Sequence, residues 1–206
     1  MLQLPSRPVA ARFRMKALVA GLTLLLAGAC SADARVPVET FHDALLGAMK
    51  RAGSTAYPER QALIRTAVEK TFAMDVVTRL VVGRKWRTLE PGQRTAMADA
   101  FLRYTVASYA ARFDGYAGER FETDETEPME RGRFTVRSRL ITGDGEEVSF
   151  DYVVQPDGEG WRIVNVVANG VSELALKRKE YAAVLREGGI EELLRRLESV
   201  IADLES

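Results

Sequence analysis

Apolar residues recur along this chain with two different periods, and the changes of period divide it into three stretches. From about Val38 to Arg51 they fall at Phe41, Leu45 and Met49, the spacing of one helix face. Gly53-Ser54 breaks that helix. Pro58 suits the first turn of a second, where a missing amide hydrogen costs nothing. Leu63, Ala67 and Phe72 line one of its faces, with Ile64 and Val68 beside them. Asp75 is placed to cap a short third helix, Val76 to Val82, which Gly83 closes. Pro91 opens a long fourth helix to about Phe113, with Met97, Phe101, Tyr104, Ser108 and Ala111 as its inner stripe.

The period then changes to two. Phe134, Val136, Ser138 and Leu140 alternate with Arg133, Thr135, Arg137 and Arg139, as in a strand buried on one face. Gly143-Asp144-Gly145 turns the chain into Val148, Phe150, Tyr152 and Val154. Pro156-Asp157-Gly158 turns it again into Trp161, Ile163, Asn165 and Val167. A weaker strand is predicted ahead of these, around Glu119 to Thr123. Helical spacing then returns. Asn169-Gly170 makes a tight turn, Ser172 caps the next helix, Gly188-Gly189 stops it, and an amphipathic helix follows from Ile190. Helices, an antiparallel meander and helices again predict an α+β fold, with helices packed on one face of a twisted sheet.

Several of these landmarks also occur together elsewhere. Gly160-Trp161, Gly170-Val171-Ser172, Arg178 to Tyr181 and Gly188-Gly189, in that order, resemble the MlaC family of periplasmic lipid-shuttle proteins. Val82-Gly83-Arg84-Lys85-Trp86 and Gly115-Tyr116-Ala117-Gly118-Glu119 extend the resemblance and look most like its hopanoid-associated HpnM branch. The resemblance implies a cone-shaped fold, like that of nuclear transport factors, enclosing an apolar pocket for acyl chains with the headgroup near the mouth. It also implies a phospholipid or hopanoid as cargo, an ABC-type transporter or exporter complex as membrane partner, and a monomer. Three positions depart from the family pattern: Asn165 where aspartate is common, Lys179 for a serine, and Tyr181 for a phenylalanine, the last adding a hydroxyl that needs a partner.

The N-terminus belongs to no packed domain. Arg12, Arg14 and Lys16 precede the apolar run Ala17 to Ala27 and then small residues, the layout of a secretory signal over residues 1–34, with either Met1 or Met15 as the start. Cleavage after Ala34 would release a periplasmic domain, residues 35–206. Leu26-Ala27-Gly28-Ala29-Cys30 also fits a lipoprotein signal, with Cys30 acylated. Cys30 is the single cysteine, so no intrachain disulfide can form. The 206 residues carry 29 basic and 29 acidic side chains; residues 1–34 hold four and one of them, leaving 25 and 28, a net of −3. Such a balance gives no footprint for nucleic acid.

Catalytic groups are scarce. His42 is the only histidine, which excludes a multi-histidine zinc site, and with no cysteine beyond the signal region no Cys–His pair is available. No Gly-x-Ser-x-Gly elbow or phosphate-binding glycine loop is present. His42 is expected as a plain surface or half-buried helix residue. Glu122, Asp124, Glu125 and Glu127, a run ending at Pro128, are expected in a solvated loop. Arg133, Arg137 and Arg139 form either a docking or headgroup surface or a solvated strand face.

What remains is apolar surface able to enclose a ligand. The candidate lipid-binding residues are Phe72, Leu80, Trp86, Met97, Phe101 and Tyr104 from the helices. The strands add Phe134, Val136, Leu140, Val148, Phe150, Tyr152, Val154, Trp161 and Ile163. Taken one at a time, the residues alone favour ordinary core for each of them. The family resemblance decides between these readings, and what it implies is a lipid carrier without enzymatic activity, cofactor or metal. A pocket enzyme of the isomerase or dehydratase type and a membrane-anchored interaction subunit are the alternatives.

Overall fold

A computed structural model describes the backbone of residues 20–206 and the side chains from Asp33 onward, with Thr55 and Glu159 excepted in both. The basic segment, the start of the apolar run and the side chain of Cys30 lie outside these described residues.

Four helices come first: α1 (Ala20–Arg51), α2 (Tyr57–Thr71), α3 (Met74–Val82) and α4 (Pro91–Arg112). A meander follows, β1 (Arg120–Pro128), β2 (Phe134–Ile141), β3 (Glu147–Asp157), β4 (Gly160–Ala168) and β5 (Val171–Ser172), and the chain ends in α5 (Glu173–Glu187) and α6 (Gly189–Leu204). The strands pair antiparallel in sequence order, an open five-stranded sheet. Among the described residues, six helices pack against it, an α+β architecture as expected.

The local signals mostly act where they were read. Pro58 lies in the first turn of α2 and Pro91 opens α4, where Glu90 and Gln93 form a reciprocal capping box. Asn169 (φ 48°) and Gly170 (φ 78°) make a two-residue hairpin whose doubly positive φ matches the right-handed twist of the strands. The Ser172 side chain accepts a hydrogen bond from Ala175 N at 3.1 Å and starts α5.

Other expectations are corrected. α1 continues back past Val38 to Ala20, carrying Pro37 inside it, since one absent amide hydrogen does not stop residues on either side. α3 begins at Met74 with Asp75 in its first turn, and no side chain caps it. The turn after β3 lies beyond Asp157, because Pro156 and Asp157 still pair with Trp161 and Gly160. β4 is out of phase with simple alternation. Val153 faces Asn165 and Val154 faces Ile163, so Val164 is an extra residue that shifts the phase. Val166, opposite Tyr152, is then buried in place of Val167.

The acidic run is strand, not loop. β1 reaches Pro128, and its bulge after Thr123 leaves Glu122 directly opposite Arg139 on the outer face. Arg139 pairs with Glu122 (2.7 Å) and Asp124 (3.3 Å), and Arg137 with Glu127 (2.9 Å) and Asp151 (3.2 Å). Arg137 and Arg139 are thus one half of a mixed-charge lattice, whereas Arg133 Nε donates to the Glu130 carbonyl at 3.4 Å. Hydrogen bonds from Arg139 and Arg137 hold the Glu122 and Glu127 carboxyls below the usual carboxylate range.

Two separate apolar clusters fill the interior. The first lies under the sheet, where Phe41, Leu45, Ile64, Val68 and Val106 meet Val136, Tyr152, Val154 and Ile163. Phe41 packs edge-on to Phe72 at 5.0 Å and to Tyr109 at 4.9 Å, contacts that each add about 1 kcal/mol to their area burial. The second is almost wholly helical: Val81 and Val82 from α3, Met97 and Phe101 from α4, Tyr181 and Leu185 from α5, Leu193 and Leu197 from α6, with Leu89 from the connection before α4. Helix α4 contributes to both.

His42 is the clearest surprise. It is 3 % exposed, stacked on Phe121 at 4.0 Å, and shares a 3.1 Å hydrogen bond with Tyr152 Oη. Burial lowers its pKa to about 3, so it is neutral and structural. The sequence could not reveal this, because its partner lies 110 residues away.

Candidate functional site

The seam between the two clusters is not closed by packing. Phe72 and Tyr109 from the sheet-side cluster and Val81, Phe101 and Leu174 from the helical one leave a cavity of about 80 Å³ between them, and Met74 touches both. Its lining is mostly apolar. The polar groups are Thr105, Ser108 and Arg112 on α4, Asn165 on β4, and Glu173 and Lys177 on α5.

Each polar group has a local reason for its position. Asn165 Oδ1 accepts from Ser172 Oγ at 3.1 Å and from Leu174 N at 3.3 Å, tying the bulged strand to the start of α5. An aspartate there would make the same bonds with added charge at a helix N-terminus. One turn into α5, Lys177 Nζ sits 4.9 Å above the Tyr104 ring and donates to Glu180 at 2.8 Å. Burial opposes its charge, but Glu180 and Tyr104 outweigh that and raise its pKa. Tyr109 is half-buried, and desolvation, reinforced by Glu173, raises its phenol well above the ordinary value, so it stays neutral.

A second hollow, about 570 Å³, opens on the other side of Tyr109 and Arg112. Phe113, Tyr116, Leu140, Phe150 and Ala168 line it, and Tyr109, Arg112, Val166 and Glu173 belong to both hollows. Arg112 Nη1 donates to Glu173 Oε1 at 3.3 Å, bridging the last turn of α4 to the first of α5. The loop from Gly115 to Gly118 forms the rim. It lies so close to the β2–β3 turn that a Cβ on Gly143 would clash with the Ala117 carbonyl oxygen.

The residues singled out from sequence divide accordingly. Phe72, Phe101 and Tyr104 line the seam cavity, while Leu140 and Phe150 line the larger hollow. Val136, Tyr152, Val154 and Ile163 are buried in the sheet-side cluster and Met97 in the helical one; Phe134 and Val148 pack half-buried against the former, and Trp86 against the latter. Trp161 borders a separate hollow with Pro37 and Thr71, and Leu80 is exposed. The residues not anticipated are chiefly Met74, Val77, Tyr109, Arg112, Val164, Val166, Glu173 and Lys177. On α4 the signal was available, since Phe101, Thr105, Ser108 and Arg112 recur at helical spacing. On β4 it was hidden by the bulge.

Helices packed on an open antiparallel sheet, with an apolar cavity at a seam and a few charged groups at its edge, define a ligand-enclosing α+β protein. The profile of the MlaC protein family matches residues 39–199, and the chain belongs to that family. Among solved structures, it is similar to a phospholipid-binding protein from Ralstonia solanacearum, solved in complex with a phospholipid. The TM-score is 0.75 at 21 % identity, covering 84 % of this chain and 99 % of that one. Among the described residues, no helix is long and apolar enough to cross a membrane.

Proposed function

We propose that this protein is a periplasmic lipid carrier that takes phospholipid tails into the seam between its two apolar clusters and has no enzymatic activity of its own. The observation that carries the reading is the apolar seam itself, in an MlaC-family chain whose fold is similar to that of a protein solved with a phospholipid. At about 80 Å³ the cavity is smaller than the ~300–1,000 Å³ of an ordinary ligand pocket. Loading therefore requires the helical wall of α3 and α5 to move away from the sheet. Each methylene buried returns about 0.8 kcal/mol, so two tails supply ample driving force for that opening without a specific polar contact. Release in turn needs a partner that favours the open state, and an ABC-type transporter or exporter complex fits that role. Residues 1–34 act as the export signal, and the released chain works as a monomer.

The test is lipid extraction and mass spectrometry of the exported protein. Near one diacyl phospholipid per chain is the expected result; a hopanoid at the same stoichiometry would keep the carrier and change the cargo. A protein that is empty and takes up no added lipid would overturn the proposal. The same spectra read the mature N-terminus: Arg35 marks release, and a diacylated Cys30 marks anchoring.

A further inference from the structure

We infer that Arg112 is the residue that reads the cargo's phosphate, and that it does so by exchanging Glu173 for the phosphodiester of an incoming lipid. The inference rests on the carrier reading above and gives that site a chemical preference.

Arg112 is the positively charged side chain common to both hollows, and its partner Glu173 is common to both as well. The pair therefore lies where the apolar seam meets the larger hollow, with Tyr109 beside it. A ligand with its tails in the seam and its headgroup toward the larger hollow must pass its linking group across that junction. A guanidinium meets a phosphodiester through two parallel N–H donors, a match that ammonium groups lack. Here the guanidinium makes one 3.3 Å bond to Glu173 and is 58 % exposed, so it is lightly held and within reach of an arriving anion. Lys177 is differently placed. It is 19 % exposed, committed to Glu180 and Tyr104, and lines only the seam. It serves as a fixed positive wall while Arg112 changes partner.

Exchange also couples ligand chemistry to opening. The Arg112–Glu173 bond joins α4 to α5 across the seam, so a phosphate that takes the guanidinium releases α5 from that tie. A lipid without an anionic group, such as a diacylglycerol or a neutral polycyclic alcohol, leaves the tie in place. The same geometry thus favours phospholipid over a neutral sterol-like cargo.

The experiment compares two tracers offered in phosphatidylcholine vesicles, phosphatidylglycerol and diacylglycerol, for wild type, Arg112→Gln, Arg112→Lys and Glu173→Gln. Loss of a charge-assisted contact should lower phosphatidylglycerol captured by Arg112→Gln about tenfold relative to diacylglycerol. Arg112→Lys should fall between that variant and wild type, and Glu173→Gln should raise phosphatidylglycerol capture by removing the competitor. Equal losses on both tracers would make the pair a simple brace and overturn the inference, as would no loss on either. Inorganic phosphate, titrated alone, should show no saturable binding; saturable binding that Arg112→Gln abolishes would mark a free-anion site and overturn a lipid-reading role. Wild type that captures neither tracer nor phosphatidylcholine would refute the carrier reading itself, and this inference with it.

Discussion

The two apolar clusters are built from similar residues but finished differently. Under the sheet, His42 meets Tyr152, Ser138 Oγ donates to the Phe150 carbonyl at 2.7 Å, and the strands lock the inner face into register, with Tyr57 Oη at the cluster's edge lacking a partner among the described residues. In the helical cluster, Tyr181 Oη is buried without a hydrogen-bond partner among the described residues, and the boundary with its neighbour is left hollow. A sheet face offers a fixed surface because its ladder bonds set every strand's position. Helices are held to it chiefly by side-chain packing, and so can shift as units. The contrast is what the proposed loading needs: a wall held by ladder bonds, a wall held by packing, and a cavity at their join.

The comparison can be broken most directly at its rigid side. Tyr152→Ala should cost about 3–5 kcal/mol in chemical denaturation, as expected for emptying a fully buried aromatic site, whereas Tyr104→Ala at the seam should cost only about 1 kcal/mol while lowering bound lipid. Equal costs would mean that the clusters are equally tight.

Acid should act on the same side. His42 has a folded pKa of about 3 against about 6.5 unfolded, so the unfolded chain binds the extra proton between these values. The contribution of this group is complete above about pH 6.5 and is lost as pH falls toward 3. Between pH 6.5 and 5 that amounts to about 2 kcal/mol for one fully responding histidine. Denaturation midpoints at pH 7.5 and 5 check it, and His42→Phe should remove that share of the slope.

Smaller effects sharpen the movable side. Ser108→Trp projects bulk into the seam, and should reduce lipid retained in native mass spectrometry while changing stability by no more than about 1 kcal/mol. Tyr181→Phe removes a buried hydroxyl that lacks a partner, so it should be neutral or stabilise the protein by up to about 1 kcal/mol in thermal melts. On the outer sheet face, Arg137→Gln breaks only exposed ion pairs and should leave both the melting temperature and the retained lipid unmoved.

Much of the scaffold was legible in the chain. Long periodic segments such as Met97 to Arg112 and Phe134 to Leu140 could be read because burial on one face imposes a period on neighbours in sequence. Punctuation was legible for the same local reason: Pro91, Gly170 and Ser172 act through bonds to residues within a turn. The acidic run failed because its stabilising partners, Arg137 and Arg139, come from the next strand, and local composition outweighed a pairing that only the meander creates.

The site was legible in kind but not in membership. Apolar periodicity says that a residue faces inward, and Val136 and Phe101 satisfy it alike. It cannot say whether the space ahead is filled, as at Val136, or left open, as at Phe101. The sequence by itself determined the α+β order, the element boundaries that glycine, proline and caps enforce, and a supply of inward apolar residues. Tertiary structure alone decided that these residues form two clusters rather than one, that the bulge at Val164 shifts β4 against α5, and that Arg112 meets Glu173 at the junction. Periods and caps are properties of neighbouring residues, whereas a cavity is the mismatch between surfaces distant in the chain, and only their docking creates it.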